Sequence, residues 1–144
     1  MKKLKGLNCI LLVDDDDVTN YLNKLLIKKS GIDVHVEVAL NGMMALEYLT
    51  STGIYNGNKT FPKPGLIFLD INMPRMNGWE FLDEYKKLED EQKGGIVIAM
   101  LTSSNNTDDE ITAKDEYGLP AYIYKPLTLS KFEEIVNTFF PEKE

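Results

Sequence analysis

Five short apolar runs, separated by segments with helical periodicity, constrain the fold of this 144-residue chain more than any other feature. The runs lie at Cys9–Val13, 33–38, Leu66–Leu69, 96–101 and Ala121–Tyr124. Four are continuous, which is typical of strands buried on both faces of a sheet. In the run 33–38, valines alternate with His35 and Glu37, which predicts a half-exposed edge strand with His35 as an ordinary surface residue.

The segment after the first run has the spacing of an amphipathic helix that ends near Gly31. Its apolar residues at helical spacing are Val18, Leu22, Leu25 and Leu26. We expect these four side chains to form the buried face of the first helix.

Two other helices have recognisable start signals. Asn41 is a predicted N-cap for the second helix, and Thr107 with Glu110 has the spacing of a capping box at the start of the fourth. The fourth helix offers few apolar anchors, mainly Ile111, Ala113 and Tyr117. A helix with so little to bury is a candidate for movement.

Five strands that alternate with five helices predict an α/β domain with a parallel sheet, because right-handed crossover helices cover the sheet faces. The expected arrangement is a flavodoxin-like, doubly wound (βα)5 sheet of order 2-1-3-4-5. In that order the carboxyl ends of strands 1, 3, 4 and 5 are neighbours, about 4.8 Å apart. We therefore expect Asp14, Asp15, Asp70, Thr102 and Lys125 to converge at one edge.

Composition bounds the class of protein. A chain with 43% hydrophobic residues can build one compact domain, and its net charge of −7 argues against binding to nucleic acid or to an anionic membrane. The N-terminus resembles neither a signal peptide nor a membrane span, so a cytoplasmic location is expected.

Two local features are also predicted. Cys9, the only cysteine, is expected to be buried and structural. The segment 51–65 is predicted to be a long surface loop.

The predicted acidic edge suits a divalent cation. Each pair of carboxylates at ~4 Å repels by about 4 kcal/mol near a protein surface, so the cluster must hold a proton or bind a cation. Hard oxygen ligands favour Mg²⁺ or Mn²⁺ at Asp14, Asp15 and Asp70. For Asp16 and Asp17 we favour a simpler role, in which they complement the dipole of the helix that follows.

A lysine and a hydroxyl beside a metal-bound carboxylate are the groups that phosphoryl transfer to that carboxylate requires. In this interpretation Asp70 is the nucleophile, while Lys125 neutralises phosphoryl oxygens and Thr102 donates a hydrogen bond. The structural alternatives are that Asp70 only ends a strand and caps the next helix, and that Lys125 only forms a salt bridge to the acidic cluster. We expect that salt bridge in the unphosphorylated state with either role of Lys125.

Four segments, in this order and at this spacing, resemble the receiver domain of two-component response regulators (CheY-like). They are VDDDD, LDINMPRMNG, MLTSS and YIYKP. The resemblance covers essentially the whole chain and implies one receiver domain over 1–144, with no output domain. The long segment 51–65 resembles the single-domain regulators that serve bacterial phytochrome-type and hybrid kinases.

The resemblance implies a role for each residue of the acidic edge. Asp70 matches the phosphoacceptor, Asp15 a direct Mg²⁺ ligand and Asp14 a residue that holds metal-bound water. Asn72 matches the residue that lends its backbone carbonyl to the metal.

The resemblance also implies the residues that respond to the phosphate. Thr102, Ser103 and Lys125 match the switch and phosphate-binding positions, and Tyr122 matches an aromatic residue that turns inward when Thr102 is drawn to the phosphate. The Lys125-Pro126 peptide bond is expected to be cis, which proline permits.

The implied function is that of a signalling phosphoacceptor and not of an enzyme. Such a domain catalyses only its own phosphorylation and dephosphorylation. A sensor histidine kinase or a phosphotransfer protein would supply the phosphoryl group. The surface of the fourth helix, fifth strand and fifth helix would then be read by a downstream protein or by a second copy of the chain.

Other functions fit the residues less well. An FMN-binding domain would place a phosphate cradle where this chain has four aspartates, and a nucleotide-dependent switch would carry a Gly-rich loop. A purely structural interaction domain would not need Lys125 and Thr102 beside the acids. A small Mg²⁺-dependent aspartyl-phosphate phosphatase is the closest alternative, although position 72, where its general acid would stand, is Asn.

Overall fold

A parallel sheet of five strands, in the order β2-β1-β3-β4-β5, forms the centre of the molecule. The computed structural model describes residues 2–55 and 62–141. The strands are β1 Cys9–Val13, β2 His35–Ala39, β3 Leu66–Leu69, β4 Val97–Thr102 and β5 Ala121–Tyr124. All four pairings between neighbours are parallel. The predicted fold class and strand order are therefore confirmed.

Five helices connect and cover the strands. They are α1 Asp17–Lys29, α2 Gly42–Thr50, α3 Gly78–Tyr85, α4 Thr107–Ile111 and α5 Leu129–Phe139. Beyond Ile111, α4 continues as a π-helical turn over Thr112–Glu116. Two further short helical elements were not predicted: a 3-10 turn at Gly53–Tyr55 and a four-residue α-helix at Asp90–Lys93. The central part of the predicted 51–65 loop, residues 56–61, lies outside the described residues.

Alternation along the strands divides the core into two layers. Leu12 and Phe68 face the side covered by α1 and α5, and Leu11 and Ile67 face the side covered by α2, α3 and α4. Residues on both faces of β1 and β3 are buried, as expected for a parallel sheet with helices on both sides. This doubly wound arrangement leaves the carboxyl ends of the strands as one edge.

The predicted buried face of α1 was wrong. Val18, Leu22 and Leu25 are 65%, 55% and 41% exposed, and Leu26 is only partly buried. The residues of α1 that are buried instead are Asn20, Asn23 and Ile27.

The rotation of α1 is set by polar contacts at its start. The Asn20 side chain donates to the Asp14 carbonyl over 2.9 Å, and Asp16 caps the helix by accepting a hydrogen bond from the Thr19 N–H. The first of these bonds directs the Asn20 side chain inward, where its Oδ1 is buried without a hydrogen-bond partner among the described residues. The apolar stripe therefore faces outward.

The predicted cap of α4 was also wrong. Asn106 is the N-cap, and its side chain accepts from the Asp108 N–H at 2.9 Å. Glu110 accepts hydrogen bonds from Lys114 and from the Tyr124 hydroxyl, each at 2.8 Å. The predicted cap of α2 is confirmed, since the Asn41 side chain accepts from the Met44 N–H.

Few side chains attach α4 to the core, as the sequence predicts. Within α4 and its π-helical turn only Ala113 is buried, and Ile111 is 55% exposed. Just past the turn, the Tyr117 ring stacks on Trp79 with 5.5 Å between centroids, and its hydroxyl donates to Asp83 over 2.7 Å. The end of α4 is thus held to α3 by an aromatic contact at the surface.

Two residues have the plain roles expected of them. Cys9 is fully buried, and burial raises the pKa of its thiol to about 11, so it is an inert core residue. His35 lies at the exposed edge strand, with its Nε2 3.2 Å from Glu37 Oε1. No helix in the described part of the chain is long and apolar enough to span a bilayer.

A close backbone approach at Gly78 fixes the turn after β3. The Gly78 N–H donates to the Ile71 carbonyl over 2.8 Å, and a Cβ at position 78 would lie 2.5 Å from the Asp70 carbonyl oxygen. Glycine is required there because a methyl group would collide with backbone. The contact holds the segment that carries the Asp70 side chain.

We predict that Gly78→Ala lowers the free energy of unfolding by about 1–3 kcal/mol, because the backbone at Asp70 must move to admit the methyl group. Urea denaturation measures the change. Gly95→Ala is the matched control, since a Cβ at Gly95 meets nothing within 4 Å. Equal stability of the two variants would contradict this explanation.

Candidate functional site

Asp14 and Asp70 stand one residue beyond the ends of neighbouring strands. The Asp14 N–H donates to Ala39 and the Asp70 N–H donates to Val13, each over 3.0 Å, so the sheet ladder continues through both residues. Their carboxylates therefore emerge at the same edge. They are 5% and 7% exposed, which makes this a buried acidic pair.

Backbone amides hold one oxygen of each carboxylate. Asp14 Oδ1 accepts from the Asp16 N–H and Asp70 Oδ1 accepts from the Ile71 N–H, both at 2.9 Å. These local hydrogen bonds fix the two side chains in orientation. The second oxygen of each, Oδ2, is directed to Lys125.

Lys125 lies between the two acids. Its Nζ is 2.6 Å from Asp14 Oδ2 and 3.4 Å from Asp70 Oδ2. The lysine follows β5, where its N–H donates to the Thr102 carbonyl over 2.9 Å, and the Lys125–Pro126 peptide bond is cis. This salt bridge is expected from the sequence in the unphosphorylated state, and the contact is present.

Burial and like charge act together on Asp70. Desolvation raises the pKa of its carboxyl, the neighbouring Asp14 charge raises it further, and Lys125 and the Ile71 N–H partly oppose the shift. For Lys125, burial alone would lower the pKa, but the bond to Asp14 and the charge of Asp70 outweigh burial and raise it. The lysine is therefore a fixed positive charge at the site.

A third acid completes a candidate metal centre. Asp14, Asp15 and Asp70 each offer a carboxylate oxygen, and these three atoms lie within 4.8 Å of one another. Asp15 is exposed, which leaves one side of the cluster open to water. Three hard oxygen donors with room for water fit a cation such as Mg²⁺ or Mn²⁺. Asn72 is exposed two residues beyond Asp70.

Thr102 is fully buried at the end of β4 and is tied to α4 through Ser104. Its Oγ1 accepts from the Ser104 N–H at 3.1 Å, and the Ser104 hydroxyl donates to Asp109 Oδ2 over 2.6 Å. Asp109 was not identified from the sequence. Nothing in its local pattern distinguishes it from the other acids in the first turn of α4.

Tyr122 lies on β5 near the start of α4. Its hydroxyl oxygen is buried and has no hydrogen-bond partner among residues 2–55 and 62–141. Burial raises the pKa of this hydroxyl, the negative charge of Asp109 adds to the effect, and the nearby Ser104 side chain opposes it. Ser103, the other predicted phosphate-binding residue, is exposed.

Asn20 is a site residue that the sequence interpretation missed. It is 4% exposed, and its side-chain amide donates a hydrogen bond to the Asp14 carbonyl, so it positions the backbone of Asp14. A signal was present in the spacing of Asn20, Asn23 and Ile27, which fall on one helical face. The apolar stripe on the opposite face was the stronger pattern.

We predict that Asp70→Asn stabilises the protein in a buffer with chelator. Folding raises the pKa of Asp70, so the protonated carboxyl adds to the free energy of unfolding only at low pH. This contribution is lost as the pH rises through the pKa that Asp70 has in the folded protein. At neutral pH the ionised group therefore destabilises the fold. Removing it should add about 1 kcal/mol of stability, or roughly 3–5 °C in Tm.

Thermal denaturation with and without Mg²⁺ tests this prediction. Ligand binding stabilises the folded state, so added Mg²⁺ should raise the Tm of the natural protein more than that of Asp70→Asn. The control is Asp115→Asn, which replaces an exposed acid outside the cluster and should leave the Tm unchanged. A lower Tm for Asp70→Asn in chelator would contradict the electrostatic account.

Comparisons with known proteins agree with this geometry. The profile of the response regulator receiver domain matches residues 10–137. The chain is 34% identical over 128 residues to Response regulator Rcp1 from Synechocystis sp., which covers 89% of this chain and 83% of that protein. The structure is similar to that of the bacteriophytochrome response regulator AtBRR, with a TM-score of 0.78 and 30% identity over 92% of each chain.

A further solved structure is the Mn²⁺-bound form of Rcp1, which has a TM-score of 0.70 and 32% identity and covers 91% of this chain and 90% of its own. The expected likeness to phytochrome-associated regulators is thus confirmed. Receiver domains interact with histidine kinases or other phosphodonors in two-component signalling. With a profile match that spans residues 10–137, this chain belongs to the response regulator receiver domain family.

Proposed function

We propose that the chain is a phosphoacceptor receiver of a two-component phosphorelay and that Asp70 accepts the phosphoryl group. The observation that carries the proposal is the contact of one lysine with two buried acids at the sheet edge, at 2.6 Å from Asp14 and 3.4 Å from Asp70. A histidine kinase or a phosphotransfer protein is the donor, as in the family.

Mg²⁺ or Mn²⁺ would be held by Asp15, Asp70 and the Asn72 backbone carbonyl, with Asp14 holding a metal-bound water. When bound, the cation supplies positive charge that offsets the acids and the phosphoryl oxygens. The three converging carboxylate oxygens support this role.

The chain's own residues perform the transfer. A carboxylate oxygen of Asp70 attacks the phosphorus, a P–O bond forms, and the P–N bond to the donor histidine breaks so that the imidazole leaves with its electron pair. Lys125 pairs with phosphoryl oxygens, Thr102 donates its hydroxyl proton as a hydrogen bond, and the backbone N–H at Ser103 donates as well. The positive charge of Lys125 favours the ionised form of Asp70 that this attack requires.

The response reaches the surface through Thr102. If Thr102 turns toward the phosphoryl group, its hydroxyl leaves the Ser104 N–H, which breaks the connection from Thr102 through Ser104 to Asp109 on α4. Helix α4 has no buried residue, and the π-helical turn that follows it buries only Ala113; both features favour a mobile element. Tyr122 would move inward, and a downstream protein or a second copy would read the α4–β5–α5 surface.

We predict that incubation with a small acyl phosphate adds one phosphoryl group to the natural protein when Mg²⁺ is present and none when it is chelated. Asp70→Asn should remain unlabelled because the nucleophile is missing. Intact-mass measurement reads both results, with Asp115→Asn as a control that labels normally. Normal labelling of Asp70→Asn would show that another residue is the nucleophile.

We predict that Lys125→Ala still accepts the group from the acyl phosphate but fails to transmit the change to α4. Trp79 is the only tryptophan and stacks on Tyr117 at the end of α4, so its fluorescence reports movement there. Phosphorylation should change Trp79 emission in the natural protein and in Lys24→Ala, an exposed control. A full emission change in labelled Lys125→Ala would refute the switch role of the lysine.

A further inference from the structure

The loop between β3 and α3, residues 71–77, is tied to a neighbouring element near its middle. The Gly42 N–H, at the start of α2, donates to the Met76 carbonyl over 2.9 Å. Among the described residues, this is the only backbone hydrogen bond that joins residues 72–76 to another element of the fold. The position of the loop therefore depends on the start of α2.

The backbone of this loop is strained. The Met76 N–H donates to the Pro74 carbonyl over 2.7 Å, which closes a three-residue turn around Arg75, and Arg75 has a φ of 67°. A turn of this kind is rare, and a non-glycine residue in this conformation persists only where its surroundings hold it. The contact with Gly42 supplies such support, since it acts on the last residue of the turn.

Position 42 has no space for a side chain. A Cβ there would lie 2.8 Å from Met76 Cγ, 3.0 Å from the Met76 carbonyl oxygen and 3.0 Å from Phe81 Cβ. These distances are shorter than van der Waals contact, so a methyl group at position 42 must displace a neighbour. Phe81 is fully buried in the core, so the loop is the part that would move.

Residues 39–42 also connect the loop to the first acid of the site. The Ala39 carbonyl, at the end of β2, accepts from the Asp14 N–H at 3.0 Å. Two residues farther on, buried Asn41 caps α2 and so fixes where the Gly42 N–H lies. The segment therefore sets the separation between the backbone of Asp14 and the loop that follows β3.

We propose that Gly42 is a positioning residue for the cation site. Its N–H and its lack of a side chain hold the loop where the Asn72 backbone carbonyl reaches the acidic cluster. Gly42 contributes no ligand and acts only through Met76. The inference rests on the proposed function, in which the Asn72 carbonyl is a ligand of the cation.

Binding of Mn²⁺ to the full chain tests the proposal without phosphorylation. The electron paramagnetic resonance signal of free Mn²⁺ falls as the ion binds, and a titration gives the dissociation constant. Gly42→Ala should raise this constant about tenfold, because residues that orient a metal ligand typically change the affinity by roughly 10–100-fold. Gly95→Ala is the matched control and should leave the constant unchanged, since a Cβ at Gly95 meets nothing within 4 Å.

A second substitution tests whether Gly42 acts through Met76. Met76→Ala removes the side chain that the new methyl group would meet first, and it keeps the carbonyl that the Gly42 N–H binds. The double variant Gly42→Ala with Met76→Ala should therefore bind Mn²⁺ more tightly than Gly42→Ala alone. A double variant that binds as weakly as Gly42→Ala would contradict this route.

A further control separates positioning from a general loss of stability. Ile135 is buried on α5, in the core layer on the other side of the sheet from Gly42. Ile135→Val should lower the urea midpoint and leave the affinity for Mn²⁺ unchanged. Equal weakening of Mn²⁺ binding in Ile135→Val and Gly42→Ala would reduce the role of Gly42 to stability.

Labelling by a small acyl phosphate supplies a second readout. Gly42→Ala should need more Mg²⁺ for half-maximal labelling and should reach the natural rate when Mg²⁺ is saturating. A lower rate that saturating Mg²⁺ does not restore would place the effect on Asp70, and that would overturn the assignment to the cation site.

Asp15→Asn distinguishes failure of this inference from failure of the proposed cation site. If Asp15→Asn weakens Mn²⁺ binding and Gly42→Ala does not, the site remains and the role of Gly42 is refuted. If both variants bind Mn²⁺ as the natural protein does, the cation binds elsewhere and both proposals are refuted.

Discussion

The contact of Lys125 with Asp14 and Asp70 is the interaction on which the rest of the structure depends. Two carboxylates that are almost fully buried repel each other, and each has lost most of its hydration. One ammonium group between them makes the arrangement tolerable. In the observed strand order, β1 and β3 are neighbours and β5 lies on the far side of β4, and the carboxyl ends of these strands bring the three side chains together. The contact between Lys125 and the two acids therefore depends directly on the strand order.

That constraint explains why the fold and the acidic edge could be predicted from the sequence. A continuous apolar run such as Leu66–Leu69 can be satisfied only inside a sheet covered on both faces, so the acid at its end must stand at the sheet edge. The face of α1 could not be predicted in the same way. Its rotation depends on the hydrogen bond from Asn20 to the Asp14 carbonyl, which joins two elements. The helical spacing of Asn20, Asn23 and Ile27 that goes with this rotation is a weaker pattern than the apolar stripe on the opposite face. The N-cap of α4 is Asn106, and the adjacent Thr107 is an equally suitable N-cap residue type. Local spacing therefore could not distinguish the two positions.

At this edge, burial and the neighbouring Asp14 charge disfavour the ionised form of Asp70. Asp70 is a buried acid beside another acid, so added positive charge at this edge would stabilise its ionised form. Thr102 is linked through Ser104 and Asp109 to the helix that buries least. A change in charge at Asp70 therefore has a short covalent and hydrogen-bonded route to α4, whose far end rests on Trp79.

The central claim is that Asp70 forms the acyl phosphate, and chemical trapping tests it most directly. Borohydride reduces an acyl phosphate on aspartate to the alcohol, so the phosphorylated residue becomes homoserine and can be located by peptide sequencing in a mass spectrometer. We expect homoserine at position 70 after treatment with a phosphodonor and Mg²⁺, and none when Mg²⁺ is chelated. Homoserine at position 14 or 15, or phosphate on a hydroxyl side chain, would contradict the account.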